Sequence, residues 1–463
     1  MQISAVKKLQ DVCYGKILLP FLDKANKTKI MQCLDFLNKS QWRGTQTLKD
    51  LQEEKLRQIT KVAYYDVPYY RELFKQNGLT DKDIQSVNDL SKLPIVDKTT
   101  LRKNWDRFIN QNLKINSGIN SYTSGSTGMP MRFLLSREQE SWRWASRYRM
   151  WQWAGYKIGQ LYANISVRPR NKWIKKFQDK VTRCTYLSLQ NPNQGEFYRF
   201  LKLISDKKIT FLVGYAHAVY LLAQFAEQEN INDFHLEGIV THGESLFPYY
   251  RKCIEKQFKC KVTDLYGAGG EGFHIAAQCE KFGGYHINME NVIVEVVKNA
   301  NGVLEIVITG LDNTLMPLVR FNTNDTGKLS LKKCECGRGL VLLDRIEGRI
   351  CDLIVTPSGL HHSAHFFCVN FGDKKGIDNF QVVQKNIDKI TIKYVPNNNF
   401  QSKEIDDLYK IIAEATHNEL SIDFQKVNEI PISRSGKRRW VISDIKDYRK
   451  CKTKKIKISD LNT

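Results

Sequence analysis

The chain has 463 residues, 42% of them hydrophobic and 26% charged, enough to bury a large core in two or three domains. No apolar run approaches the roughly 20 residues that span a bilayer. The formal charge of +22 points to polyanionic partners such as nucleotides, CoA, anionic lipid or nucleic acid.

The start, with Lys7, Lys8 and the run Ile17-Leu18-Leu19-Pro20, is too short and Pro-broken for a signal peptide. A cytoplasmic protein is expected, with its eleven cysteines reduced. Residues 1 to about 115 read mostly as helix, as in the apolar spacing of Leu48, Leu51 and Leu56, with turns at the Pro and Asp clusters of 66–68 and 94–97. The basic, apolar first helix offers weak contact with a membrane surface, against ordinary packing. The stretch Ser121-Tyr122-Thr123-Ser124-Gly125-Ser126-Thr127-Gly128-Met129-Pro130 is a hydroxyl- and glycine-rich loop. Its free N–H groups and hydroxyls can cradle an anion such as a nucleotide phosphate; a polar surface turn is the other reading. No Gly-Lys-Ser/Thr follows, so it is not a Walker loop.

Glu140 to Tyr156 carries Trp144, Tyr148 and Trp151 on one helical face among Arg143, Arg147 and Arg149, which favours burial of the aromatics over a nucleic-acid platform. From 209 to 265 strands alternate with helices: 209–214, 238–241 and 261–265 as strands, 218–228 and 249–258 as helices. That alternation implies parallel pairing with crossovers. Ligands in such sheets sit at the carboxyl ends of strands, where Gly214, Gly243 and Gly267 fall. Asn301-Gly302 between two alternating runs marks a hairpin. A smaller strand-rich domain follows from about 352, with a helix over 404–415 and a final strand and loop carrying Lys437. Basic clusters at Lys172 to Arg183 and Lys450 to Lys457 come without paired zinc ligands, a recognition helix or a stacking platform, so nucleic acid is not expected among the partners.

The loop resembles the phosphate-binding signature of the adenylate-forming ligases, the superfamily of acyl-CoA synthetases and peptide-synthetase adenylation domains. Further matches follow in order. His242-Gly243-Glu244-Ser245 resembles the adenine-contacting segment, and Asp264-Leu265-Tyr266-Gly267 the strand and turn lining the acyl pocket. Arg320-Phe321-Asn322-Thr323-Asn324-Asp325 resembles the segment whose Asp binds the ribose, and Gly348-Arg349 the hinge region. Pro431-Ile432-Ser433-Arg434-Ser435-Gly436-Lys437 resembles the catalytic-lysine motif. Val67-Pro68-Tyr69-Tyr70-Arg71 and Leu93-Pro94-Ile95-Val96-Asp97-Lys98 are similar to the phenylacetate–CoA ligase-like branch, which includes capsular-polysaccharide biosynthesis members.

The resemblance implies an α/β fold: a helical N-terminal segment (1–115), an ATP- and acyl-binding core (116–350) and a small mobile α+β lid (351–463) hinged near Cys351 and Asp352. It implies ATP-dependent activation of a small carboxylic acid as an acyl-adenylate, with pyrophosphate release. Transfer follows, most simply to CoA, or to a carrier protein or sugar amine. A non-catalytic nucleotide-binding scaffold is the rival reading. Attack of a carboxylate on the α-phosphorus joins two anions, so the site must supply positive charge. The resemblance gives that role to Lys437, with phosphate contacts from Ser124, Gly125, Ser126, Thr127 and Gly128, adenine contacts from Gly243, Glu244 and Ser245, Tyr266 and Gly267 beside the acyl group, and Asp325 and Arg349 on the nucleotide. Two departures stand out. Met129 replaces a frequent lysine, and Gly270 stands where the family places a Mg²⁺-binding Glu, so either that role shifts to Glu271 on a loop bulging at Gly269-Gly270 or magnesium binding is impaired. Three cysteines and a histidine, Cys279, His286, Cys334 and Cys336, make a closed set suited to structural zinc, as in some members of the branch; reduced, buried thiols are the alternative. His361, His362 and His365 fall near the expected thioester-forming face, and His217, His242 and Tyr215 near the pocket.

Overall fold

A computed structural model describes residues 11–123, 131–166, 173–188, 194–300, 302–330, 332–349, 353–372, 374–431 and 439–445. Its frame is an eleven-stranded mixed sheet. The parallel half runs in the order Cys184–Ser188, Tyr162–Ser166, Phe211–Tyr215, Gly238–His242, Val262–Ala268. Apart from the edge strand Cys184–Ser188, these strands are buried along nearly their whole length, as parallel strands covered by helices are. The helices Ala216–Gln228 and Pro248–Phe258 are the crossovers that the alternation over 209–265 predicts.

The antiparallel half continues through Phe273–Gln278, Tyr285–Ile287, Leu342–Arg349, Phe321–Leu329, Leu304–Gly310 and Val292–Lys298. The last two pair antiparallel as the predicted hairpin requires; Asn301 lies outside the described residues, and Gly302 sits at φ +80°, a left-handed position that costs glycine little. The N-terminal helices Ile30–Ser40 and Thr45–Asp66 share one apolar cluster with the antiparallel half of the sheet and with the helix Arg137–Trp153. On that last helix Tyr148 and Trp151 are buried, as the periodicity implies, while Trp144 on the same face is only partly buried.

The same helix holds an ion pair in the core. Arg149 and Glu290, both fully buried, meet at 2.6 Å. Arg149 also donates to the Leu37 carbonyl at 3.1 Å and to Asn288, and Ser40 donates to Glu290 at 2.5 Å. The pair therefore joins the Arg137–Trp153 helix, the Ile30–Ser40 helix and the sheet.

The C-terminal part carries a four-stranded sheet ordered Ser421–Lys426, Lys389–Pro396, Ile377–Asn386, Val441–Ser443, with the helices Ala364–Gly372 and Ser402–Ala415. Its core is continuous with that of the parallel half: Phe367, Phe371, Phe380 and Val382 share a cluster with Val219, Leu222 and Tyr250. The class is mixed α/β with a small C-terminal domain.

Candidate active site

Four segments distant in sequence meet at the carboxyl ends of the parallel strands. The first is the hairpin Ile119–Tyr122 with Arg132–Leu135, in register Tyr122↔Arg132. Thr123 N–H donates to the Met131 carbonyl (3.0 Å) and Met131 N–H to Thr123 Oγ1 (2.9 Å), so the two ends of the glycine-rich loop are pinned together. The loop itself, with Ser124, Gly125, Ser126, Thr127, Gly128 and Met129, lies outside the described residues.

The second segment is the turn after the Val262–Ala268 strand, which packs on the base of that loop. Ser121 Oγ donates to the Gly269 carbonyl at 3.4 Å. A Cβ on Gly270 would stand 2.6–2.7 Å from the side chain and backbone of Thr123, so this position admits only glycine without displacement. The missing Glu at 270 thus has a steric cause. The pairing between Val262–Ala268 and Phe273–Gln278 shifts register between Tyr266 and Gly267, a bulge. Glu271, one residue on, is buried.

The third segment supplies a residue that motif reading passed over. Val96 bridges to Phe321, with Val96 N–H donating to Arg320 O at 2.9 Å and Asn322 N–H to Val96 O at 2.8 Å. This carries Lys98 into the site, where its Nζ lies 3.0 Å from Glu271 and donates to the Thr323 carbonyl at 3.2 Å. The signal was present in Leu93–Lys98, but only pairing across 225 residues shows where the lysine goes.

The fourth segment is the Phe321–Leu329 strand. Tyr266 Oη donates to Asp325 Oδ2 at 2.8 Å, and Asp325 pairs in register with Arg349. Burial, and then the Asp325 charge, push the Tyr266 phenol well above its ordinary range, so it stays a donor. The Arg349 side chain, Cys351, Asp352 and Lys437 lie outside the described residues. Trp440, three residues past Lys437, packs on Phe247 (6.2 Å between ring centroids) and His217 (6.3 Å) of the large domain. Trp440 thus sits beside the helix start that follows the Tyr215 strand end.

At those strand ends Gly243 takes φ +78°, and a Cβ there would stand 2.7 Å from the Tyr215 ring. Glu244 accepts from His217 N–H at 3.4 Å, at the N-terminus of the Ala216–Gln228 helix. Ser245 follows, half-buried. Asp264 turns into the sheet, where Thr241 (2.6 Å) and Tyr285 (2.8 Å) donate to it. Burial raises its carboxyl to about 6, so its role is architectural.

Residues 354–444 match the CapK C-terminal domain family. Over 409 residues the chain is 25% identical to Protein CapK of Staphylococcus aureus, covering 86% of this chain and 90% of that one. It is 24% identical to the phenylacetate-coenzyme A ligase of Thermus thermophilus, over 66% and 72% of the two chains. The fold superposes on 2-hydroxyisobutyryl-CoA ligase in its postadenylation state with a TM-score of 0.71 at 18% identity, covering 88% of this chain and 92% of that one. The chain is similar in sequence to CapK and the phenylacetate–CoA ligases and has the fold of the adenylate-forming ligases.

The structure carries a second cluster. Cys279, His286, Cys334 and Cys336 converge with all ligand atoms within 4.8 Å of one another. Cys279 Sγ and Cys334 Sγ are 3.5 Å apart, and Cys336 Sγ and His286 Nε2 3.3 Å. Tetrahedral zinc with bonds of about 2.3 Å to sulfur sets ligand–ligand edges of about 3.8 Å, so the donor set and spacing fit such an ion. Burial lowers the His286 imidazole to about 4, leaving it neutral as a ligand must be. Burial would raise the Cys336 thiol, but the Arg338 N–H and guanidinium outweigh it and lower it. Arg338 in turn bonds Glu280 (3.1 Å) and Gln41 (3.1 Å), so the cluster fastens the loop after Phe321–Leu329 to the N-terminal helices. The histidines His361 and His362 lie on a short strand paired with Leu353–Val355, away from any convergent metal set among the described residues.

Proposed function

We propose that this chain activates a small carboxylic acid with ATP. A carboxylate oxygen attacks the α-phosphorus and pyrophosphate leaves, giving an acyl-adenylate. An acceptor, in the simplest case the thiol of CoA, then attacks the acyl carbon and AMP leaves. The observation that carries this reading is the meeting of the pinned loop base at Thr123, the Gly270–Glu271 turn, Lys98 and the Tyr266–Asp325 bond in one place. In it, Ser124 to Gly128 hold the phosphates, Asp325 the ribose, and Gly243 to Ser245 the adenine. Gly267 and Tyr266 border the acyl group, and Lys437 neutralises charge at the bond being made. Glu271 is the carboxylate that would hold Mg²⁺, whose chemistry is to polarise the phosphates; Lys98 pairs with it in the structure.

The family name of the C-terminal match and the CoA ligases among the relatives support the reading. Residues 351–463 act as the lid, pivoting near Cys351 and Asp352. A place in capsule or surface-polysaccharide synthesis follows from the resemblance to such members, and a cytoplasmic setting from the sequence. Cys279, His286, Cys334 and Cys336 hold a structural zinc ion; purified protein carrying no stoichiometric zinc would remove that assignment. The ligase reading is tested by screening an acid library for hydroxamate formation and pyrophosphate release, with Lys437→Ala beside the natural chain. Release that depends on one class of acid, and is lost in the variant, supports it. Equal release by the variant defeats the role of Lys437.

A further inference from the structure

Arg147 projects from the Arg137–Trp153 helix onto the sheet. It lies 4.7 Å over Trp144 and 5.7 Å over Trp151, measured to the ring centroids. Its Nε donates to His274 Nε2 at 3.1 Å. His274 is buried and stands opposite Gly267 in the sheet, with Nδ1 3.3 Å from where a Gly267 Cβ would be. Because Nε2 accepts from a guanidinium, that imidazole is neutral; burial and the charge of Arg147 hold its pKa well below the ordinary range. The neighbouring Arg143 is matched by Glu140 at 2.6 Å, whereas no carboxylate among the described residues pairs with Arg147. Arg147 as a whole residue is half-buried, and its partner His274 stands beside the strand end that carries Gly267. A cation held against two indoles and an imidazole, with no ion pair among the described residues, is costly unless a ligand completes it.

We propose that Arg147 is a specificity-determining residue of the acyl pocket, and that the acid substrate carries a second anionic group that its guanidinium receives in a charge-assisted hydrogen bond. This rests on the ligase reading above. His274 is a positioning residue that fixes the Arg147 fork. The test uses matched acids in the hydroxamate assay: valerate against glutarate, and phenylacetate against its ring-carboxylated analogue. The dianionic member of at least one pair is expected to lead by about tenfold or more in kcat/KM, because a site built for a polar group discriminates against its absence. Arg147→Met is expected to abolish that lead with the KM for ATP unchanged, and Arg147→Lys to retain part of it. A natural chain that prefers the plain acid in both pairs overturns the proposal. So does an Arg147→Met chain whose ATP KM rises while the acid ratio holds, which would give the guanidinium to the nucleotide phosphates. If no acid at all is activated, the ligase reading itself has failed.

A different observation, on the far surface, carries a second inference. Ile17 and Phe21 are each 67% exposed, Trp173 75% and Phe177 61%. They lie on two short helical stretches joined where Tyr14 Oη donates to the Val181 carbonyl. The exposed charges beside them, Lys16, Lys24, Lys176 and Lys180, are all positive. The acids of these stretches are turned inward: Asp11 pairs with Arg183 at 2.8 Å, Asp23 accepts the Ile30 and Met31 N–H groups, and Asp179 is buried. We infer that this face docks on an anionic lipid surface, with the rings entering the interface and the lysines meeting headgroups. The full chain should sediment with phosphatidylcholine vesicles that contain phosphatidylglycerol, not with phosphatidylcholine alone, and salt should release it. Phe21→Glu with Phe177→Glu should lower partitioning roughly tenfold. Equal binding by that variant, or no binding by the natural chain, overturns the inference. Self-association abolished by the same variant, without vesicle binding, would assign the face to a second copy.

Discussion

Gly270→Ala isolates the contact between the two halves of the proposed phosphate site. The new methyl would lie 2.6 Å from Thr123 Cγ2 and 2.7 Å from Thr123 Cα and N. Carbon and backbone atoms rest at about 3.5–4.0 Å, so the loop base and the Gly269–Glu271 turn must part by roughly 1 Å. A misplacement of about 1 Å costs on the order of 100-fold in rate. The loss should fall in acid-dependent ATP–pyrophosphate exchange, with little change in thermal unfolding, since the turn stands at the rim of the core. Gly269→Ala is the control, because a Cβ there meets nothing within 4 Å. If Gly270→Ala exchanges as fast as Gly269→Ala, the close approach of Thr123 to this turn has no functional weight and the assembly of the site is wrong.

Three further outcomes are expected. Lys98→Ala, which leaves Glu271 without its cation at 3.0 Å, should lower kcat/KM for ATP on the order of 100-fold, as loss of one preorganised donor does; unchanged steady-state kinetics would make Lys98 structural only. Arg149→Met should destabilise by about 3–5 kcal/mol in urea titration, because Glu290 is left charged and buried. Adding Glu290→Leu should recover part of that loss, and a double variant worse than the single would refute the pairing. Asp264 holds its proton in the fold up to about 6, above its ordinary value of 3.8. The folded chain therefore keeps a proton that the unfolded chain sheds, and the natural chain should lose up to about 3 kcal/mol relative to Asp264→Asn as pH rises from about 4 to about 6. Parallel stability curves for the two chains would contradict this.

The parallel half of the fold was legible because β-branched runs ending in Gly214, Gly243 and Gly267 alternate with apolar helices, all of it local information. The hairpin at Asn301-Gly302 was legible for the same reason. Periodicity also placed Trp151 and Tyr148 inside. It could not show that Arg149, on the same helix, turns inward to Glu290, since an arginine reads as surface until its partner 141 residues away is known. Lys98 was hidden in the same manner, and so was the steric reason for Gly270, which depends on the backbone of Thr123. The four ligands of the Cys279 cluster were readable as residue types, but their convergence depends on the pairing of Tyr285–Ile287 with Leu342–Arg349.

The most direct measurement is the identity of the nucleotide products when ATP, magnesium and the preferred acid are incubated with the chain before any acceptor is added. AMP and pyrophosphate, with an enzyme-bound acyl-adenylate detected by mass spectrometry, are the expected result. ADP and phosphate, or no acid-dependent cleavage with any acid, would contradict the account.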